Sequence, residues 1–376
     1  MKKLLLLALG CCLFSPAGAA PGAVETVDVF VSGNEGYHTF RIPAVVRAQN
    51  GDVLAFCEGR KIGGGDAGDI DLILRRSTDG GRTWGAIQTV WDDGANTCGN
   101  PCPVLDASTG TLWLVLTHNI GSEHEKDIIT KKTKGTRTVW VTHSRDHGAT
   151  WAKPVDITAT TKDPSWGWYA TGPGIGIQIQ SGAHAGRLVI PCDHSYDDPQ
   201  GKVRGGPYEY GSHAIYSDDH GQSWKLGGVI RPKVNECQVV ESLDGNGTLI
   251  MNLRSYFGRN RRTHATSTDG GITWSAPVDV ADLVESVCQA SIVRAPAAQL
   301  LLFANPAATK RERLTVKASG DDGRTWPRAL VLHAGPSAYS SLVVLDATTA
   351  ACLYECGETS AYSRITLARF DLAAVK

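Results

Sequence analysis

Short apolar runs broken by clusters of Gly, Asp and Ser dominate the chain. Val27–Val31, Ile70–Leu74, Thr138–Thr142, Ser212–Tyr216, Leu300–Pro306 and Leu314–Lys317 are such runs. Each has the length of a strand, and no sustained 3.6-residue periodicity follows the first few residues. The pattern predicts an all-β chain of short strands joined by tight turns.

One turn recurs. Ser77–Trp84 reads Ser-x-Asp-x-Gly-x-Thr-Trp, and the pattern returns at Ser144–Trp151, Ser217–Trp224, Ser267–Trp274 and Ser319–Trp326, with Ser for Thr in the third copy. Asp79 can accept from backbone N–H groups a few residues on, and Gly81 can take a positive φ. Thr83 and Trp84 would then open the next strand, with the indole free to pack on a neighbouring unit. An apolar run precedes most copies, so each reads as a hairpin turn inside a repeated antiparallel unit. The pattern resembles the Asp box of the sialidase (neuraminidase) superfamily. That resemblance implies a six-bladed β-propeller, with the boxes as structural turns and the chemistry elsewhere.

Composition agrees with a turn-rich β-protein: 42 Gly, 10 Trp and only 2 Met among 376 residues. A net charge of −1 gives no reason to expect nucleic acid. The basic run Lys131, Lys132, Lys134 and Arg137 reads as a solvated loop.

The N-terminus has the form of a secretory leader over residues 1–19. Lys2 and Lys3 supply charge, Leu4–Phe14 an apolar core too short to span a membrane, and Ala17–Ala19 a small-residue cleavage site. The reading is an exported protein, periplasmic or secreted, whose residues 20–376 form one catalytic domain. Cys11, after Gly10, is a weaker lipidation signal. Cys11 and Cys12 fall in the leader and eight cysteines follow it. In an exported protein Cys98 with Cys102, or Cys352 with Cys356, could pair, and buried free thiols are the alternative.

Motifs outside the boxes extend the resemblance over nearly the whole mature chain. Phe40-Arg41-Ile42-Pro43 lies upstream of the first box, where the family carries the first arginine of a carboxylate clamp. Guanidinium offers a rigid fork that matches a carboxylate. Asn252-Leu253-Arg254-Ser255 implies Arg254 as the second clamp residue. The Asn-Pro, loop, Arg-x-x-Leu-Thr pattern implies Arg311 as the third, with Arg313 as its alternative. Arg259, Arg261 and Arg262 read as loop cations.

A glycine-rich loop, Lys61–Asp69, follows a strand that ends in Glu58 and Arg60. Counting back from Arg76, the resemblance implies Asp66 as general acid/base, with Asp69 as competitor, and Glu58 and Arg60 flanking the substrate. Asn100, before Pro101, matches the animal-type residue at the sugar O4. Trp166–Gly174 suits a sugar-lining wall. Glu236 in Glu236-Cys237-Gln238 is implied as the base for a nucleophilic Tyr339, Glu241 should face solvent, and Glu355 should orient Arg41.

The implied activity is that of an exo-α-sialidase acting on sialylated glycans with retention, with no metal and no cofactor. A phenol oxygen avoids the charge repulsion that a carboxylate nucleophile would meet at an anomeric carbon bearing a carboxylate. A trans-sialidase would share these residues. A non-catalytic glycan-binding propeller would be expected to lack Tyr339, Glu236 or the arginines. The final segment, Ser363–Leu372, should pair with the N-terminal strand.

Overall fold

Antiparallel strands carry nearly all the regular structure of residues 24–376, which the computed structural model describes. The expected leader, with Cys11 and Cys12, lies outside the described residues. The simplest sheet is a four-stranded meander of Val234–Glu241, Leu249–Ser255, Arg261–Ser267 and Val278–Val284. Thr39–Arg47, Val53–Arg60, Ile70–Ser77 and Gln88–Trp91 repeat that order, joined to the following strands by one parallel bridge, Ile70 to Thr97. The long strand Arg328–Val344 pairs through its first half with Glu312–Ser319 and through its second with Thr349–Cys356. As expected, the last strand, Arg364–Asp371, pairs with the first, Glu25–Val31.

The core lies between successive sheet faces. Leu54, Phe56, Leu72 and Leu74 of one meander pack with Leu112, Leu114 and Leu116 of the next. With neighbours on both faces, a strand loses the alternation of buried and exposed positions. All eight residues of Val53–Arg60 are buried, and so are all eight of Val234–Glu241.

Each Asp box closes the turn between the third and fourth strands of a meander. In the first, Ser77 Oγ accepts from Gly81 N (2.8 Å), Asp79 Oδ1 accepts from Thr83 N (2.9 Å), and Thr83 Oγ1 donates to Asp79 Oδ2 (2.6 Å). The same three bonds recur in the other four copies. Some of the indoles reach across to the preceding meander: Trp151 meets Phe56 edge-on and Trp224 meets Trp113. A Cβ on Gly81 (φ +89) would stand 2.4 Å from Leu367, so close docking requires glycine there. Thr83 and Trp84 do not open a strand as expected. Asp79 captures their end of the turn, and the strand begins at Gln88.

Three further expectations are corrected, each through burial. The lysines of the basic run are exposed, but Arg137 is 1% exposed and held by Thr117, Asn119 and Asn100. Glu241 does not face solvent: both faces of its strand are covered, and it accepts from Gln180 N (2.7 Å) and the Ser181 hydroxyl. Arg262 is no loop cation. It is fully buried against Glu285 (2.9 Å) and the Cys288 carbonyl (2.7 Å). The eight cysteines among the described residues are buried free thiols.

Candidate active site

Four candidate side chains sit where strand pairing loses register. The breaks fall between Arg41 and Ala44, Gly99 and Cys102, Val234 and Cys237, and Ser337 and Ser340. They re-aim Arg41, Asn100, Glu236 and Tyr339 away from the regular pleat, as bulges beside functional sites do. Ile42 (φ 61) and Asn100 (φ 52) carry the strained backbone. All four side chains line one cavity of about 210 Å³, together with Glu58, Arg60, Asp66, Arg254 and Arg311.

At its base Tyr339 donates its hydroxyl to Glu236. Arg254 Nη1 bonds the other oxygen of that carboxylate (2.5 Å) and reaches the phenol oxygen at 3.4 Å. Burial pushes the Tyr339 phenol well above its ordinary value and Glu236 adds to this, while Arg254 and Arg311 pull against it. The resting phenol is therefore protonated, and Glu236 is placed to take its proton. Arg41 lies 5.1 Å and Arg311 5.6 Å from the Tyr339 ring centre, so three guanidinium groups surround one phenol.

Glu355 is wholly buried and does not line the cavity. Its Oε1 accepts from Arg41 Nε (2.7 Å) and Ile42 N (2.9 Å), and its Oε2 from Tyr339 N (3.1 Å). One carboxylate thus fixes the first arginine and the backbone of the tyrosine. Arg311 bonds the Tyr362 hydroxyl (2.8 Å), whereas Arg313 is exposed and does not line the cavity.

Asp66 enters from the glycine-rich loop. Its side chain is 61% exposed, and its carboxylate lies 2.9 Å from Arg60 Nη1 and 4.0 Å from Arg41 Nη1. Burial alone would raise its pKa, but Arg60 and then Arg41 outweigh it and hold the carboxyl below the ordinary range. In the free site it is ionised at neutral pH. Asp69 pairs with Lys61 outside the cavity. Glu58 joins two walls, accepting from Arg60 (2.6 Å) and from Asn100 N (2.9 Å).

Several lining residues carried no motif. Asp193, 1% exposed, accepts from Asn235 (3.1 Å) through one oxygen, and its other oxygen has no protein partner. Glu125, on the short helix Glu125–Ile129, takes the Tyr210 hydroxyl (2.5 Å) and pairs with Arg204. Arg137 stacks 4.1 Å from the Trp168 ring, and Trp168 lines the cavity as expected of its segment. Trp166 turns inward and stacks on His194.

A cluster of guanidinium groups can bind and orient a carboxylate. The tyrosine–glutamate pair can attack an electrophilic carbon beside it, and the loop aspartate can exchange a proton with a leaving oxygen.

A family model for a BNR repeat-like domain matches residues 51–352. A curated sialidase of Micromonospora viridifaciens is 34% identical over 94% of this chain, which spans 55% of that protein's length. Sialidase-3 of Mus musculus is 29% identical over 89% of this chain and 91% of its own. A solved structure, Hadza microbial sialidase Hz136, superposes with a TM-score of 0.80 at 30% identity, over 93% of this chain and 69% of that one. With the repeat model covering most of its length and a solved sialidase matching its fold and sequence, the chain belongs to the sialidase family.

Proposed function

We propose that this protein is an exo-α-sialidase that hydrolyses terminal sialic acid from glycans with retention of configuration. The observation that carries the reading is the contact of Tyr339 with Glu236 and Arg254 inside a cavity that also holds Arg41, Arg311 and Asp66. The substrate carboxylate binds Arg41, Arg254 and Arg311. Glu236 withdraws the phenolic proton as Tyr339 attacks the anomeric carbon. Asp66 protonates the departing sugar oxygen, then deprotonates the water that releases sialic acid.

Asp66 is ionised in the free site, so it must gain its proton as substrate binds. The bound carboxylate cancels part of the arginine field that holds the Asp66 pKa down. The pH dependence of catalysis tests this step.

We also read the fold as a six-bladed propeller. Five boxes mark five meanders, and pairing of the first strand with the last supplies a sixth from both ends of the chain. The leader-like residues 1–19 support an exported enzyme.

The test is incubation with α2,3- and α2,6-sialyllactose, separating free, anhydro and transferred sialic acid, with the first-formed anomer followed by proton NMR. Free α-sialic acid is expected. A first-formed β-anomer would overturn retention, an anhydro or transferred product would make the protein a trans-sialidase, and no cleavage would leave a binding module.

A further inference from the structure

The loop Lys61–Asp69 presents Asp66, and in mid-loop the buried Arg60 Nη1 holds the Gly64 carbonyl (2.6 Å). A Cβ added at Gly63 or Gly68 would meet nothing within 4 Å. Asp66 itself is tied to Arg60, but it must turn from that guanidinium to face a leaving oxygen. With Asp66 turned, the loop stays anchored at Gly64 and at its neck.

There Lys61 N donates to the Asp69 carbonyl (3.1 Å), and the Thr97 hydroxyl bonds Gly68. The Lys61 ammonium lies 3.0 Å from Asp69 Oδ1, 3.0 Å from Asp71 Oδ1 and 3.4 Å from Asp92 Oδ2. Oxygens of these three carboxylates lie within 4.8 Å of one another. Asp71 is 2% exposed, and its second oxygen accepts from the Tyr37 hydroxyl (2.7 Å). Beyond their pairing with Lys61, neither Asp69 Oδ1 nor Asp71 Oδ1 has a hydrogen-bond partner. Three carboxylates this close repel one another, and the Lys61 ammonium holds them together.

We propose that Lys61 is a positioning residue for the proton donor: its ammonium ties the first residue of the Asp66 loop to the last and to Asp71 on the adjacent strand, fixing where Asp66 stands. The idea rests on the sialidase reading with Asp66 as general acid. A donor displaced by about 1 Å can lose roughly a hundredfold in rate, and that loss grows with the need of the leaving group for a proton.

The test compares 3′-sialyllactose, a poor leaving group, with 4-nitrophenyl sialoside, whose phenolate leaves with little protonation. Lys61→Met should lower kcat/KM for sialyllactose by about tenfold or more while kcat/KM for the aryl sialoside, which reports the first step without the later water attack, stays within about twofold. Lys61→Arg should recover the sialyllactose rate. Asp69→Asn cuts the same tie while leaving Asp71 paired, and decides the matter if Lys61→Met fails to fold. Equal loss on both substrates, or no loss on either, overturns the proposal. Asp66→Asn runs alongside: if it shows no leaving-group split, the acid assignment falls and the Lys61 proposal with it. A wild-type protein inactive on both substrates instead overturns the sialidase reading.

Discussion

The aspartates of the Asp boxes and Asp66 of the cavity are the same residue put to opposite uses. In the second box the Thr150 hydroxyl and amide, with Ser144, hold the Asp146 carboxyl down at about 2. Burial alone would raise Asp269 and Asp321, but the hydrogen bonds of their own turns outweigh it and hold both at about 2. A carboxylate so fully bonded has no capacity left for a substrate. Asp66 is held low by arginines, which a bound anion can engage instead. Hydrogen bonds from the local turn make a fixture, whereas neighbouring guanidinium charge that a bound anion can partly cancel makes a group whose proton affinity can change during a reaction.

The strongest challenge to this contrast is at the base of the cavity. Tyr339→Phe should reduce kcat by roughly a thousandfold or more while sialoside still binds, because nucleophile and base act as a unit. A kcat near wild type, with binding followed by calorimetry, would remove Tyr339 from the nucleophile role. Next in size, Asp66→Asn should cost about 10²–10⁴ in kcat on sialyllactose, whereas Asp146→Asn should leave kcat within twofold. Comparable losses in the two variants would erase the distinction between fixture and donor.

A smaller effect separates free from occupied sites. The alkaline limb of kcat/KM reports Asp66 in the free enzyme, and that of kcat reports it in the complex. Since substrate raises the pKa, the kcat limb should lie at higher pH, and coincident limbs in steady-state profiles would contradict the coupling. The smallest change is in stability alone. Asp269→Ala removes bonds to Ser267, Ile272 and Thr273. It should cost about 1–3 kcal/mol, a Tm drop of a few degrees by calorimetry, with kcat unchanged.

Much of this organisation was legible in the sequence because it is local. The boxes declare themselves since every hydrogen bond of the turn lies within its own eight residues. Arg41, Asp66, Glu236, Arg254, Arg311 and Tyr339 were found through short motifs, and they meet although Arg41 and Tyr339 are far apart in the chain. What escaped depends on partners distant in sequence. Arg137 looks solvated beside three lysines, and only Asn100, Thr117 and Trp168 make it an interior cation. Glu241 and Arg262 were misread for the same reason, since their strands give no sign of the second face that covers them. Asp193 follows Cys192 in an ordinary apolar strand, and nothing local marks its unpartnered oxygen. Register breaks are also invisible in a pattern of apolar residues, although they aim four of the side chains that matter.

The pairing of Glu25–Val31 with Arg364–Asp371 has a consequence for how the molecule is made. Glu25–Val31 leaves the ribosome long before its partner, Arg364–Asp371, has been made. Until then it presents an open edge, and Arg41, a few residues downstream, lacks the Glu355 that aligns it. Such a long sequence separation slows folding and leaves partly made chains prone to association. Loss of the last dozen residues should therefore disarm the catalytic centre while sparing every residue that lines it.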